Sequence, residues 1–277
     1  MMYKLLTLDL DGTTLDSKKN FPAETVDAIK KLRQHGIETA LASGRALPEL
    51  DEYQDAVNSM RFGIMTSGAI IYDFQHDKAL SKHAIPKDSQ MEIIKKSLEV
   101  DSMVQIITTK NSVVSQSKID QMVEYNMQVY QPMYQRICYR CDDPLTFAEE
   151  HFDDICKINI YHRTLEICMD VLKKIEHLPV KIVVDTSAEF GLEITAENIT
   201  KATGLIDLCE IMHIKLEDTM TFGDNANDVE IFQIAGKSIA VANAIDEIKN
   251  LADEVTLSND ENGVLHAIKK FFPEVFE

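Results

Sequence analysis

The sequence predicts an α/β protein, a doubly wound parallel sheet with a second, α+β domain inserted into it. Three observations lead there. Short, nearly all-apolar runs alternate with amphipathic helix patterns over residues 1–82 and again over 189–277. Such runs suit strands of a parallel sheet covered on both faces. The stretch between, 83–188, mixes strand-like runs and helices without that alternation and holds four of the five cysteines. The length, 277 residues, also exceeds what one compact core usually needs.

In order, YKLLTLDL reads as the first buried strand and FPAETVDAIKKLRQHG as a helix. In that helix Val26, Ile29 and Leu32 form one stripe and Gly36 provides the stop. IETALAS is the second strand, ending at Ser43-Gly44-Arg45; PELDEYQDAVN is a helix; RFGIMTSGAIIYD contains a further strand. In the middle, SQMEIIKKSLEV and TLEICMDVLKKIEHL have helical spacing, while MVQIITT, ICKINIYH and VKIVVD read as strands. The first style then returns. ITKATGLIDLCEIMHI is an amphipathic helix, DTMTFGD a strand and loop, NDVEIFQIAG a helix, and SIAVANA a strand; IKNLADEV and GVLHAIKKFF close the chain. This alternation is the signature of a doubly wound layer.

Composition limits the function classes. The net charge is −18 and the sequence pI near 4.8, which disfavours nucleic acid as a partner because phosphate backbones select basic surfaces. No apolar run approaches the span of a bilayer, and MMYKLLTLDLDG is too short and acidic for a signal peptide, so no membrane and a cytoplasmic location are expected. Cys138, Cys141, Cys156, Cys168 and Cys209 are odd in number and lack a disulfide framework, which fits reduced thiols. Cys138 and Cys141 form one CxxC, half of what a structural zinc site uses. Asn198 begins a glycosylation sequon that has no meaning without secretion.

The chemistry lies at predicted strand ends, where doubly wound sheets bind ligands. Asp9 and Asp11 follow the first strand in DLDG, and Asp224, Asn227 and Asp228 follow a later one in GDNAND. An EF-hand alignment of DLDG would put Thr7 at the first ligand position and Lys18 at the twelfth, so that reading fails. Taken singly, DLDG is as much a turn as a site, Asp224 and Asp228 read as helix caps, Ser43 as a turn serine and Lys201 as a surface lysine. Together, two acidic clusters at separate strand ends repel unless a cation lies between them, and hard carboxylate oxygens select Mg²⁺. A cation in turn suggests a phosphate. One pair of unit charges 4 Å apart repels by ~4 kcal/mol at an effective dielectric near 20, which Mg²⁺ would relieve. Ser43 and Gly44 could then donate to phosphate oxygens, and Lys201 could supply compact positive charge.

With DLDGTTLD, LASGR, the lysine of ITKATGL and GDNANDVEIF in this order, the chain resembles the Cof-type phosphatases of the haloacid dehalogenase superfamily. The resemblance implies a Rossmann-like core with an inserted cap, Asp9 as nucleophile, and Asp11 as general acid and then base. It further implies Mg²⁺ held by Asp9, the Asp11 backbone carbonyl and Asp224, with Asp228 supporting from behind, and phosphate held by Leu10, Ser43, Gly44, Lys201 and Asn227. Two departures stand out. Ser67 occupies a position where asparagine is common, and ITAENITK lacks the usual proline and glycine before the lysine. The expected function is a Mg²⁺-dependent phosphatase of small phosphomonoesters, sugar phosphates foremost, acting as a monomer or homodimer. A phosphomutase, or a non-catalytic regulator carrying a phospho-aspartate, are the alternatives. Arg45 reads equally as a substrate contact or a structural ion pair. Tyr125, Tyr130, Tyr134 and Arg136 read as cap core or solvent-facing groups before sugar-facing ones.

Overall fold

The computed structural model describes residues 3–176, 178, 181–187 and 190–277. They fall into two compact units. Residues up to Arg45, Glu52–Ser81 and Thr200–Glu277 form the first, and Ala46–Asp51 with Lys82–Ile199 form the second.

The first unit begins with β1 (Leu5–Asp9), α1 (Ala23–Gln34), β2 (Glu38–Ala42), α2 (Gln54–Ser59), β3 (Phe62–Met65), β4 (Ile70–Asp73) and β5 (Lys78–Lys82). Every residue of β1 is buried, and burying each of its leucines contributes roughly 1.5–3 kcal/mol. In α1 the stripe of Val26, Ile29 and Leu32 is buried, and Lys31 and Arg33 sit in the last turn, where cations suit the helix dipole. The segment expected as one helix after Arg45 is instead a 3₁₀ run, Leu47–Tyr53, followed by the short α2. RFGIMTSGAIIYD holds two strands. β3 and β4 pair antiparallel, with Thr66 and Ser67 at positive φ in the turn between them.

The second unit contains α3 (Lys87–Leu98), β6 (Met103–Thr108), β7 (Ser112–Ser115), α4 (Gln116–Asp120), α5 (Gln131–Ile137), β8 (Tyr139–Cys141), α6 (Pro144–His151), β9 (Ile155–Tyr161), α7 (Leu165–Glu176), β10 (Ile182–Ser187) and β11 (Gly191–Ala196). Its sheet has the order β10-β11-β9-β6-β7-β8. The sequence drew the domain boundary between residues 188 and 189, which lie outside the described residues. The strand just past that boundary, β11, pairs with β9 and β10 in this second sheet. The reason is packing: Leu192 and Ile194 alternate into the apolar cluster built by Ile93, Val104, Ile158 and Val171.

The chain then returns with α8 (Lys201–Met212), β12 (Thr219–Gly223), α9 (Val229–Ile234), β13 (Lys237–Ala240), α10 (Asp246–Leu251), β14 (Glu254–Val255) and α11 (Gly263–Phe271). The first sheet has the order β14-β13-β12-β1-β2-β3-β4-β5, and β14 through β3 run parallel. From β1 the chain builds outward through β2 and β3, and later through β12, β13 and β14 on the other side. The order therefore reverses between β1 and β12, and the carboxyl ends of these two strands flank the topological switch point, where such sheets bind ligands. Among the described residues no helix is long and apolar enough to cross a membrane.

Candidate active site

Asp9 is the last residue of β1 and is 6% exposed. Asp224 follows β12, and Asp228 closes a 3₁₀ turn, Ala226–Asp228, that leads into α9. One carboxylate oxygen from each of the three lies within 4.8 Å of the others. Lys201, the first residue of α8, sends its ammonium between two of them, 2.6 Å from Asp9 Oδ1 and 2.6 Å from Asp228 Oδ1. It is 1% exposed, so its charge acts in a medium of low dielectric.

Glycines make these approaches feasible. Gly68, at φ +101°, lies so close to the start of α8 that a Cβ there would meet the Thr200 carbonyl oxygen at 1.9 Å. A Cβ on Gly204 would meet Ile64 at 2.3 Å. The α8 N-terminus can therefore press onto the end of β3, and a capping box between Thr200 and Thr203 fixes it there. At Gly12, φ +85°, a Cβ would meet the Asp224 carboxylate at 2.5 Å; the missing side chain is what admits Asp224.

The loop after β1 supplies further donors that the sequence reading did not single out. Thr13 Oγ1 donates to Asp224 Oδ1 at 2.6 Å, and Thr14 Oγ1 donates to the Asp9 carbonyl at 2.5 Å. Asn243 Nδ2 donates to the Gly12 carbonyl at 2.7 Å. Both threonines sit inside DLDGTT, one of the motif stretches, and Asn243 lies near the end of SIAVANA, read only as a strand. Asp228 Oδ2 accepts from the backbone N–H groups of Asp224 and Asn225 at 2.9 and 3.2 Å. Asp228 thus shapes the loop that carries Asp224.

The electrostatics follow from this arrangement. Burial pushes the Asp9 carboxyl well above the usual carboxylate range against the pull of Lys201, and the charges of Asp228 and Asp224 push it further. Burial likewise raises Asp224, with Asp228 adding to the rise. Burial opposes the charged form of Lys201, but Asp9 and Asp228 outweigh it and hold the ammonium above the ordinary lysine value. Two unit charges 4.8 Å apart repel by about 3.5 kcal/mol at an effective dielectric near 20. Three carboxylates against one ammonium leave two negative charges unbalanced in this group. An all-oxygen donor set short of two positive charges is what a hard divalent cation fits.

Asp11 is not part of that carboxylate group. Arg45 forks onto it, Nε to Oδ2 and Nη2 to Oδ1, both at 2.8 Å, and Lys19 Nζ reaches Oδ1 at 2.9 Å. Burial raises the Asp11 carboxyl, but the Arg45 hydrogen bond and charge, and then Lys19, outweigh it and hold the group below its ordinary value. Of the two readings of Arg45, the structure displays the ion pair. Ser43 is 2% exposed at the end of β2. Its Oγ accepts from the Arg45 N–H at 3.2 Å, and its carbonyl accepts from the Ser67 N–H at 3.0 Å. Gly44 lies beside Ser67, whose Oγ would be 3.3 Å from a Cβ at that glycine. Leu10 is buried directly after β1, and Asn227 is exposed in the turn before α9.

In the second unit, Tyr134 Oη donates to Gln105 Oε1 at 2.9 Å inside a buried polar cluster, and Tyr125 is 2% exposed. Tyr130 is half exposed, and Arg136 pairs with Asp51. All five cysteines are free. Burial pushes the Cys138, Cys141 and Cys209 thiols up to about 11 and Cys156 up to about 12, so these sulfurs are neutral thiols near pH 7.

The sequence profile of the haloacid dehalogenase-like hydrolases matches residues 6–268. Phosphatase YwpJ of Bacillus subtilis is 29% identical over 96% of this chain and 99% of its own. A 5-amino-6-(5-phospho-D-ribitylamino)uracil phosphatase, YwtE, from the same organism is 27% identical over 96% of each chain. The crystal structure of a haloacid dehalogenase-like hydrolase from Bacteroides thetaiotaomicron superposes with a TM-score of 0.85 at 26% identity, covering 98% of this chain and 100% of that one. A subclass IIB sugar phosphatase shares the fold with a TM-score of 0.75 at 24% identity, over 97% and 98% of the two chains. The chain therefore belongs to the haloacid dehalogenase-like hydrolases, in the Cof-type branch that carries phosphatases.

Proposed function

We propose that this enzyme is a Mg²⁺-dependent phosphatase of small phosphorylated metabolites, sugar phosphates foremost, and that it works through an aspartyl-phosphate on Asp9. The observation that carries the proposal is the Lys201 ammonium held 2.6 Å from both Asp9 and Asp228, with an Asp224 carboxylate oxygen within 4.8 Å of oxygens of those two carboxylates. Two carboxylates on one buried ammonium, with a third carboxylate beside them, leave buried charge whose desolvation the pairing does not repay.

Asp9 Oδ attacks phosphorus as the bond to the leaving oxygen breaks, and Asp11, which must first take up a proton from solvent, gives that proton to the leaving oxygen. Water then attacks the phosphoryl group, its proton passes to the Asp11 carboxylate, and the bond to Asp9 breaks, releasing phosphate. Lys201 steadies charge on the phosphoryl oxygens. Leu10 and Gly44, through backbone N–H groups, and Ser43 and Asn227 orient the phosphate. Mg²⁺, for which Asp9, the Asp11 carbonyl and Asp224 are the fitting donors and Asp228 the brace, would lower the repulsion between carboxylate and phosphate dianion.

The phosphorylated ribityl compound that YwtE acts on supports a small phosphomonoester as the substrate class. The inserted second unit would select the leaving group. Five free cysteines support a reducing, cytoplasmic location. The test is phosphate release from a panel of sugar phosphates, nucleotides, flavin mononucleotide and pyridoxal phosphate, with Mg²⁺ and with chelator. Turnover of sugar phosphates that chelator abolishes supports the proposal, and no release from any member overturns it.

A further inference from the structure

Asp11 belongs to a closed ring of contacts that the roles above leave unexplained. Arg45 grips both of its carboxylate oxygens, and Lys19 grips one. The Lys19 carbonyl accepts from Tyr53 Oη at 3.2 Å, and the Tyr53 ring lies 5.3 Å from the Arg45 guanidinium carbon, returning the ring to its start. Lys19 is itself fixed. Its backbone is in the left-handed region at φ 64°, inside a turn in which Asp16 Oδ1 accepts from the N–H groups of Lys18 and Asn20 at 2.9 and 2.8 Å.

We propose that Arg45, Lys19 and Tyr53 are positioning residues that hold Asp11 as the proton acceptor for the second half-reaction. The inference rests on the phosphatase reading above. A fork of charged donors on both oxygens fits the carboxylate, the form Asp11 has after its proton has gone to the leaving oxygen. It then has to accept a proton from water while that water bonds to phosphorus and the Asp9 bond breaks. The ring fixes the carboxylate in one rotamer for that transfer. Lys19 is 61% exposed along its side chain and Arg45 23%, so Arg45 carries more of the effect.

The test is pre-steady-state turnover of p-nitrophenyl phosphate with Mg²⁺. Its leaving group departs without a proton, so the first half-reaction proceeds without Asp11 acting as acid. Arg45→Met should release about one nitrophenolate per chain in a burst and then turn over ~10²-fold more slowly than wild type, within the usual contribution of a positioned general base. Arg45→Lys should recover part of that rate. Lys19→Met and Tyr53→Phe should show the same burst with smaller slowing, so the test does not depend on one variant folding. Asp11→Asn is the control for the underlying reading. If it bursts and the ring variants slow both phases equally with no burst, the positioning role is overturned while the phosphatase mechanism stands. If Asp11→Asn itself neither bursts nor slows turnover, the acid–base role of Asp11 falls.

Discussion

Lys201→Met tests the buried charge arrangement most severely. The substitution keeps side-chain bulk and removes an ammonium that is 1% exposed and 2.6 Å from two carboxylates. Breaking one buried pair typically costs about 3–5 kcal/mol, because it strands a charge without a partner. Here two carboxylates lose the same partner, so the upper part of that range is expected for metal-free protein near neutral pH. The sign with pH is fixed by the direction of the shifts. Asp9 is already raised by burial, and loss of Lys201 raises it further. The penalty is therefore present where Asp9 is ionised and shrinks as pH falls through its raised value. Wild type shows the same relief in smaller measure, because Lys201 pulls against the rise of Asp9. Urea unfolding of both proteins in chelator at neutral and mildly acidic pH measures the difference. A loss under about 1 kcal/mol, or one that does not change with pH, would refute the reasoning, since that is the scale of an exposed ion pair.

Five further outcomes are expected. In metal-free protein the raised Asp9 and Asp224 carboxyls contribute stability below their ordinary value, and it is lost as pH rises through the raised values. Mg²⁺ at 100 times its Kd should add about 2.7 kcal/mol, or roughly 5–10 °C in Tm, and Asp224→Asn should raise the metal-free Tm while erasing that gain. Asp9→Asn should abolish phosphate release while leaving circular dichroism unchanged; retained turnover would remove the covalent route. Gly204→Ala places a Cβ 2.3 Å from Ile64 and should cost about 1–3 kcal/mol in urea unfolding, with kcat falling as α8 and Lys201 move. Ellman's reagent should modify at most Cys141 quickly in native protein, because the other four sulfurs are buried.

What the sequence revealed, it revealed through local pattern. The apolar run ending at Asp9 marked β1, and GDNAND after an apolar run marked the second arm of the site, because strand burial and loop chemistry are both written in consecutive residues. The 3₁₀ run at Leu47–Tyr53 was misread as helix because its composition suits either form. β11 was misplaced because only its antiparallel partners, β9 and β10, decide which sheet it joins. The contact of Gly68 with Thr200 and the ring through Asp11, Arg45, Tyr53 and Lys19 join residues far apart in the chain. No window of sequence contains them.

Transfer of the phosphoryl group to Asp9 is the step on which every other role depends. Enzyme mixed with p-nitrophenyl phosphate and Mg²⁺, quenched in acid within the first turnover and digested, locates that group by mass spectrometry. The expected result is a single phosphorylated peptide containing Asp9, absent when chelator replaces Mg²⁺. Full turnover with Asp9 unmodified at every time point, or label confined to another residue, would contradict it.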